Sequence, residues 1–255
     1  MAAVEFETRD HLAIITLNRP DARNAVNGDV AQGMEAALDA IEEDRNLRAA
    51  ILTANGKAFC AGADLKEVAA GNGRALSTKR GGFAGLVTRE RSKPLVAAIT
   101  GSALAGGTEI ALSCDLIVCS EETNFGLPEV KRSLIAGAGG LFRLPRALGM
   151  APALEAILTG DPLTAERAYQ LGMVNKVVPA DQVMAEATAL AERIMVNAPL
   201  AVQASLKVAR RAYTDDDETL FHAGGQEMRT VSKSEDYKEG PRAFIEKRAP
   251  VWKGE

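Results

Sequence analysis

Residues 101–115 read GSALAGGTEIALSCD, and this stretch predicts a strand exit, a turn of small residues and a helix that carries an acid. It follows PLVAAIT at residues 94–100, an apolar run with β-branched residues between a proline and a glycine, as is typical of a buried strand. The first amides of a helix have no intrahelical partner and carry partial positive charge. Gly106 and Gly107 leave those amides open to a polarised carbonyl, and Glu109 lies beside them in the first turn.

A purely structural interpretation competes with this one. Glycine pairs mark turns, and the helix dipole stabilises a glutamate in a first helical turn. A second acid shifts the balance toward a site, because Glu129 follows a glycine and a proline in NFGLPEV at residues 124–130, on a turn that leaves a short strand. We expect the two carboxyl groups to converge on one pocket.

A second glycine turn repeats the pattern of the first. In KAFCAGADLKE at residues 57–67, a strand and a turn precede three small residues and an acid, namely Ala61, Gly62, Ala63 and Asp64. We therefore expect a second exposed amide here. The following segment, residues 69–85, is polar and rich in glycine and predicts a mobile surface loop.

The rest of the chain alternates strands with helices and then becomes helical. Two strands within residues 4–17 precede an amphipathic helix at 29–44, for which Asn27 is the expected N-cap. A strand, helix, strand order is typical of parallel strands joined by helical crossovers. The sequence thus predicts an α/β body over residues 1–197, with the site in it, and an all-helical region over residues 198–255.

Composition limits the classes of function. The 255 residues are 47% hydrophobic and 25% charged, as in a soluble globular protein with a large core. A net charge of −4 without a basic stripe argues against a nucleic-acid partner. No apolar run reaches the length of a membrane span, and the first residues are unlike a signal peptide. Together with Cys60, Cys114 and Cys119, which form no disulfide framework, this predicts a cytoplasmic protein without a membrane partner.

Several kinds of chemistry lack their sequence signatures. The two histidines, His11 and His222, adjoin no nucleophile motif, and the chain contains no GxSxG or Cys/His signature. The GNG at residues 71–73 does not follow a strand and lacks the third glycine of a dinucleotide fingerprint. The sequence favours acid/base chemistry without a metal or a cofactor.

Four segments taken together resemble the crotonase superfamily, and within it the enoyl-CoA hydratases. They are KAFCAGADLKE, GSALAGGTEIALSCD, FGLPEV and GAGGLFRLP, in this order and spacing. The resemblance extends from LNRP at residues 17–20 to EGPRAFIEKRAP at residues 239–250. It implies the ClpP/crotonase spiral of repeated strand and helix turns, with a helical C-terminal region that builds trimers, which pair into hexamers.

The resemblance also implies roles for individual residues. It assigns an oxyanion hole for the thioester carbonyl of a coenzyme A substrate to the amides of Ala61 and Gly106. The loop that lies along the coenzyme A moiety would be Ala61, Gly62, Ala63 and Asp64. Glu109 would hold and activate a water molecule, and Glu129 would exchange the proton at C2. No cofactor is implied, because coenzyme A is part of the substrate.

More than one activity is compatible with these motifs. Hydration of a 2-enoyl-CoA, in fatty-acid oxidation or a related route, is the first hypothesis. GGFAGLV at residues 81–87 and PVWKGE at 250–255 are also similar to carnitinyl-CoA dehydratases, and crotonase isomerases are a further alternative that often keeps one of the two acids. Two other classes are disfavoured: an acyl-CoA-binding protein without catalysis, by the two acids, and an RNA-binding member of the fold, by the charge. Ala105 departs from the pattern, since many hydratases have glycine there.

Overall fold

The computed structural model describes residues 2–255, which form two sheets, a short hairpin and surrounding helices. The strands are β1 (Val4–Arg9), β2 (Leu12–Leu17), β3 (Ala49–Ala54), β4 (Ala58–Cys60), β5 (Ser77–Thr78), β6 (Gly82–Phe83), β7 (Leu95–Ile99), β8 (Ser102–Leu104), β9 (Leu116–Ser120), β10 (Asn124–Gly126), β11 (Leu163–Thr164) and β12 (Lys176–Val178). The helices are α1 (Gly28–Glu43), α2 (Leu65–Ala69), α3 (Gly106–Ala111), α4 (Gly140–Leu148), α5 (Met150–Thr159), α6 (Ala165–Gln170), α7 (Val183–Met195), α8 (Pro199–Ala209), α9 (Asp217–Val231) and α10 (Glu235–Glu246).

The larger sheet has the strand order β1-β2-β3-β7-β9-β12. Only β1 runs antiparallel to its neighbour, and the other pairs are parallel. Successive side chains of a strand point to opposite faces, and both faces are covered here. Ile15 packs in the cluster that contains Met34 of α1, while Ile14 packs in the cluster that contains Ala187 of α7. This double burial explains why the central strands are continuous apolar runs.

Helix α1 confirms the sequence prediction at this position. It spans Gly28–Glu43, and the Asn27 side chain caps it by accepting a hydrogen bond from the Val30 amide at 3.0 Å. The apolar positions that mark its period, including Met34 and Ile41, are buried against the sheet. Burial of this face, together with the cap, fixes the helix on the sheet.

The smaller sheet has the order β11-β10-β8-β4. Strand β8 was not expected, because its three residues lie where the sequence indicated only a turn. Strands β4, β8 and β10 run parallel to one another. Their carboxyl ends therefore meet at one edge of this sheet.

The prediction of a surface loop over residues 69–85 is wrong for the second half of that segment. Residues 69–75 are exposed, but Leu76 and Ala84 are buried in the main core. Just after the hairpin of β5 and β6, the chain packs on α1 so closely that a Cβ on Gly85 would lie 2.2 Å from the Ala31 carbonyl oxygen. Gly81 and Gly85 in the second half of this segment thus permit close packing rather than exposure.

The last three helices, α8 to α10, carry exposed apolar side chains. Phe221 on α9 is 83% exposed, and on α10 Phe244 is 85% and Ile245 78% exposed. The end of the chain is tied to the body by Arg48, which donates hydrogen bonds to the carbonyls of Met195 and Trp252. Within residues 2–255, none of the helices combines the length and the hydropathy that crossing a bilayer requires.

Candidate active site

Three parallel strands of the smaller sheet each end directly before a segment with predicted site residues. Strand β4 ends at Cys60, next to the 61–64 loop; β8 ends at Leu104, two residues before Gly106; and β10 ends at Gly126, three residues before Glu129. Because the carboxyl ends of these strands share one edge, the sheet brings the three segments together. Residues that are separated by almost 70 positions in the sequence thereby form one site.

The first donor of this site is the Gly106 amide at the start of α3. Ala105 precedes it with φ 53° and ψ −126°, a positive-φ conformation that residues with a Cβ rarely adopt and that turns the chain sharply out of β8. The amides of Thr108 and Glu109 both donate to the Ala105 carbonyl. The Gly106 amide has no protein acceptor within the described part of the chain, as expected of the first position of a helix.

Position 106 also has no room for a side chain. A Cβ at this position would lie 2.5 Å from Cε1 of Phe83, whose ring covers the start of α3. Phe83 was not predicted at the site, because its segment has the glycine-rich, polar composition of a surface loop. The glycine in this turn is therefore needed for packing as well as for the amide.

The second donor predicted from the family resemblance, the Ala61 amide, is already used within the protein. It donates a hydrogen bond to the Arg23 carbonyl at 3.0 Å. The assignment of Ala61 to an oxyanion hole is therefore not supported by the geometry. The rest of the 61–64 loop still lies at the site, so a second open amide would have to come from a later residue of this loop.

The amide of Ala63 meets that requirement. Val26 forms a parallel bridge to Ala63, in which the Val26 amide donates to the Gly62 carbonyl at 2.8 Å and the Asp64 amide donates to the Val26 carbonyl at 2.9 Å. In such a bridge the amide of the central residue points away from the partner strand. No acceptor for the Ala63 amide occurs among residues 2–255, and Gly62 beside it touches Gly106. Ala63 and Gly106 thus each present an open amide at this edge.

The side chain of Asp64 has a structural part in the loop. Its Oδ1 accepts a hydrogen bond from the Lys66 amide at 3.1 Å and caps α2, and its Oδ2 lies 3.0 Å from the guanidinium of Arg19. These contacts lower the pKa of the Asp64 carboxyl group against the opposing effect of burial, which is the largest single influence on it. Asp64 therefore holds the loop in place through its side chain.

Glu109 is buried in the first turn of α3 and is held by two backbone amides. Its Oε1 accepts hydrogen bonds from Ala138 at 2.7 Å and from Gly140 at 2.8 Å. Burial raises the pKa of the Glu109 carboxyl group, while these amides and the charge of Arg143 act in the opposite direction. The amides of GAGG at residues 137–140 were missed as site groups, because nothing in their local pattern shows which carboxylate they face.

Glu129 lies in the 3-10 turn Pro128–Arg132 that follows β10. Its Oε2 is buried and has no hydrogen-bond partner in the part of the chain that the structure describes. Burial raises the pKa of the Glu129 carboxyl group, and the negative charge of Glu109 raises it further. The charge of Glu109 therefore reaches Glu129 and opposes its ionisation.

Comparisons with known proteins show the family to which the chain belongs. Residues 7–255 match the model of a family described as enoyl-CoA hydratase/isomerase. The chain is 41% identical over 262 residues to the enoyl-CoA hydratase EchA19 of Mycobacterium tuberculosis, covering 98% of each chain. It is 42% identical over 247 residues to the carnitinyl-CoA dehydratase of Salmonella typhi, covering 94% of each.

Solved structures give the same result for the fold. A crystal structure of an enoyl-CoA hydratase from Mycobacterium tuberculosis H37Rv superimposes with a TM-score of 0.96 at 45% identity over the full length of both chains. A carnitinyl-CoA hydratase from Mycobacterium avium superimposes with a TM-score of 0.80 at 48% identity, again over both full chains. The chain belongs to the enoyl-CoA hydratase/isomerase family and has the crotonase fold that its four motifs predicted.

Proposed function

We propose that this protein reversibly adds water across the 2,3 double bond of a 2-enoyl-CoA thioester. The observation that carries the proposal is the meeting of two glutamates of raised pKa, Glu109 and Glu129, with two open amides at one sheet edge. Enoyl-CoA hydratases and carnitinyl-CoA dehydratases among the relatives support it. The reaction needs no cofactor beyond the coenzyme A of its substrate. We place it in the cytoplasm, where the three free cysteines would remain reduced.

The open amides of Ala63 and Gly106 would bind the thioester oxygen. Attack of water at C3 moves negative charge onto that oxygen as an enolate forms. Fixed donors stabilise this charge without reorganising during the reaction, and in a comparable site removal of one donor costs about 3 to 4 kcal/mol. A neutral thioester carbonyl gains less from the same donors, so their effect falls mainly on the transition state.

The two carboxyl groups would move the protons. Oε1 of Glu109 is held by two amides, which fixes the carboxyl plane and leaves Oε2 to accept a proton from water at C3. Glu129 has a buried, unpartnered oxygen and the pKa-raising charge of Glu109 beside it, and it would deliver the proton to C2. The proposed reaction requires one carboxylate and one carboxylic acid together, and the charge of Glu109 favours the protonated form of Glu129.

The catalytic roles are tested by replacing each acid with its amide. Glu109→Gln and Glu129→Gln should each lower kcat for a short 2-enoyl-CoA by about 10²- to 10⁴-fold, measured as loss of the ultraviolet absorbance of the conjugated thioester. Glu122→Gln, at an exposed glutamate just before β10, is the matched control and should retain full activity. Unchanged turnover in both site variants would reject the proposed mechanism.

A carnitinyl-CoA dehydratase is the second candidate, since two relatives, named carnitinyl-CoA dehydratase and carnitinyl-CoA hydratase, are 42% and 48% identical to the chain. A panel of thioesters separates the candidates. Turnover of crotonobetainyl-CoA without turnover of crotonoyl-CoA would favour the dehydratase. Turnover of 3-enoyl-CoA alone would favour an isomerase.

We further propose that the protein forms homotrimers, which pair into hexamers. The support is the exposed apolar surface of α9 and α10, where Phe221, Phe244 and Ile245 are each more than three-quarters exposed. Large apolar side chains at such exposure are typical of surfaces that bury each other in an assembly. Analytical ultracentrifugation measures the assembly directly. A monomer at micromolar concentration would contradict this proposal and leave the catalytic one standing.

A further inference from the structure

We infer that Arg143 is a positioning residue for this site: its guanidinium holds the loop that binds Glu109 and places a positive charge within range of that carboxyl group. The inference rests on the proposed function, because it assigns Arg143 a part in the acid/base step. Arg143 lies on α4, one turn beyond the glycines at its start, and its side chain is partly buried.

The contacts of Arg143 act directly on the loop that holds Glu109. Its Nη1 donates a hydrogen bond to the Ala138 carbonyl at 3.1 Å, and the amide of the same Ala138 donates to Glu109. The guanidinium also packs on Gly139, where a Cβ would lie 2.2 Å from Nη1. Gly139 has φ 106°, a backbone conformation that favours glycine. The arginine contacts this turn through its packing on Gly139 and its hydrogen bond to the Ala138 carbonyl.

The second terminal nitrogen of the guanidinium binds the segment that follows β6. Its Nη2 donates to the Val87 carbonyl at 2.5 Å. The amide of Val87 donates to the carbonyl of Phe83, whose ring packs on Gly106. One planar side chain therefore links the loop of the glutamate to the segment that covers the oxyanion-hole glycine. Lysine lacks the planar fork whose two nitrogens each bind one of these carbonyls.

The charge of Arg143 is not neutralised by a direct ion pair. Within residues 2–255, no carboxylate oxygen lies within 4.0 Å of its guanidinium. Its influence on ionisation is directed at Glu109, whose pKa it lowers. At Glu129, burial and the charge of Glu109 raise the pKa, and Arg132 acts to lower it. Burial lowers the pKa of Arg143 itself, Arg146 and Arg91 act in the same direction, and Glu109 opposes them.

Arg146 provides a matched control on the same helix. Both guanidinium groups lie over the ring of Phe142, that of Arg143 at 5.3 Å and that of Arg146 at 5.1 Å from the centroid. Arg146 is exposed, and it makes no hydrogen bond or ion pair with the described residues. Arg146→Met thus removes the same chemical group without touching the loop.

The test compares Arg143→Met, Arg143→Lys and Arg146→Met in steady-state kinetics as a function of pH. We expect Arg143→Met to lower kcat about tenfold or more, with a smaller change in KM, since misplacement of a catalytic group costs rate rather than binding. Loss of the cation should also move the acid limb of the kcat/KM profile up by about half a pH unit or more. Arg143→Lys should lower kcat but keep the wild-type limb, and Arg146→Met should match the wild type.

The outcomes distinguish the inference from the proposed function. Wild-type kcat and an unmoved limb in Arg143→Met would overturn the inference while hydration stands. If that variant does not fold, full wild-type kcat in Arg143→Lys would overturn it instead. If the wild type hydrates no enoyl-CoA, the proposed function fails. A carbon-13 NMR titration of the carboxyl groups still tests the role of Arg143. The Glu109 carboxyl signal, identified by its loss in Glu109→Gln, should titrate at higher pH in Arg143→Met than in the wild type.

Discussion

Gly62 lies directly against the backbone nitrogen of Gly106: a Cβ on Gly62 would be 2.9 Å from that nitrogen and 2.8 Å from the Cβ of Ala105. Two loops from different parts of the chain can approach this closely only where one of them has no side chain. The spacing between the open amides of Ala63 and Gly106 therefore depends on the hydrogen atom at position 62.

Gly62→Ala should abolish most of the hydratase activity. The added methyl must displace either the 61–64 loop or the start of α3, so the two amides can no longer bind one oxygen, and we expect kcat to fall about 10²-fold or more. Gly71→Ala is the control, because Gly71 also has a positive φ, +85° against +92° at Gly62, but a methyl group added there would have no other residue within 4 Å. Equal activity of the two variants would contradict an oxyanion hole at this position.

Glu109→Gln should stabilise the protein at neutral pH. Burial raises the folded-state pKa of Glu109 above its ordinary value of 4.5, so the native state binds more protons than the unfolded state as pH rises from 4.5 through the folded pKa. The wild type loses stability over this window, and a neutral glutamine does not. We expect a higher Tm for the variant at pH 7 and equal Tm values at pH 4. A variant that is less stable at pH 7 would show that the charged form of Glu109 is well solvated in the fold.

Ala105→Gly should also stabilise the protein. With φ 53° and ψ −126°, Ala105 is in a region that costs a residue with a Cβ about 1 to 3 kcal/mol and costs glycine little. Glycine also increases the conformational entropy of the unfolded chain, which lowers the free energy of unfolding by about 0.4 to 1 kcal/mol. The net effect should be an increase of about 1 kcal/mol in the free energy of unfolding, measured with urea. The same substitution at Ala189, an exposed position within α7, should lower the stability by about 1 kcal/mol.

Asp115→Asn should destabilise the protein strongly. Its carboxylate accepts hydrogen bonds from Arg91 at 3.2 Å, from Arg210 of the segment after α8 at 2.8 Å and from the Leu95 amide at 2.8 Å. The Arg91 side chain is only 6% exposed, so the variant would leave a buried cation without its partner, at a cost of about 3 to 5 kcal/mol.

The exposed pair of Lys131 and Asp161 is the control for that prediction. Their side chains are 47% and 68% exposed, and Asp161→Asn should change the free energy of unfolding by less than about 1 kcal/mol. Urea unfolding of both variants measures the difference. Similar values would mean that the Asp115 cluster is solvated and does not fix α8 to the body.

Much of this site could be predicted from local sequence. The order of buried strand, glycine turn and helix is visible at residues 94–115, and the structure has β7 and α3 at these places. The N-cap of α1 at Asn27 was predicted for the same reason, since side-chain capping depends on residues two or three positions apart. Strand β8 was missed because three residues are too few to show a period.

The sequence by itself determined that an acid follows each of two strand and turn units and that small residues surround these acids. It also determined that the two units belong to an α/β fold of the crotonase type. Only the tertiary structure decided that Ala63 rather than Ala61 has the open amide, because the choice depends on hydrogen bonds to Arg23 and Val26. It likewise decided that the amides of Ala138 and Gly140 hold Glu109. Local patterns encode helices, strands and caps, whereas the direction of an amide at a sheet edge is set by segments about 30 residues or more away in the chain.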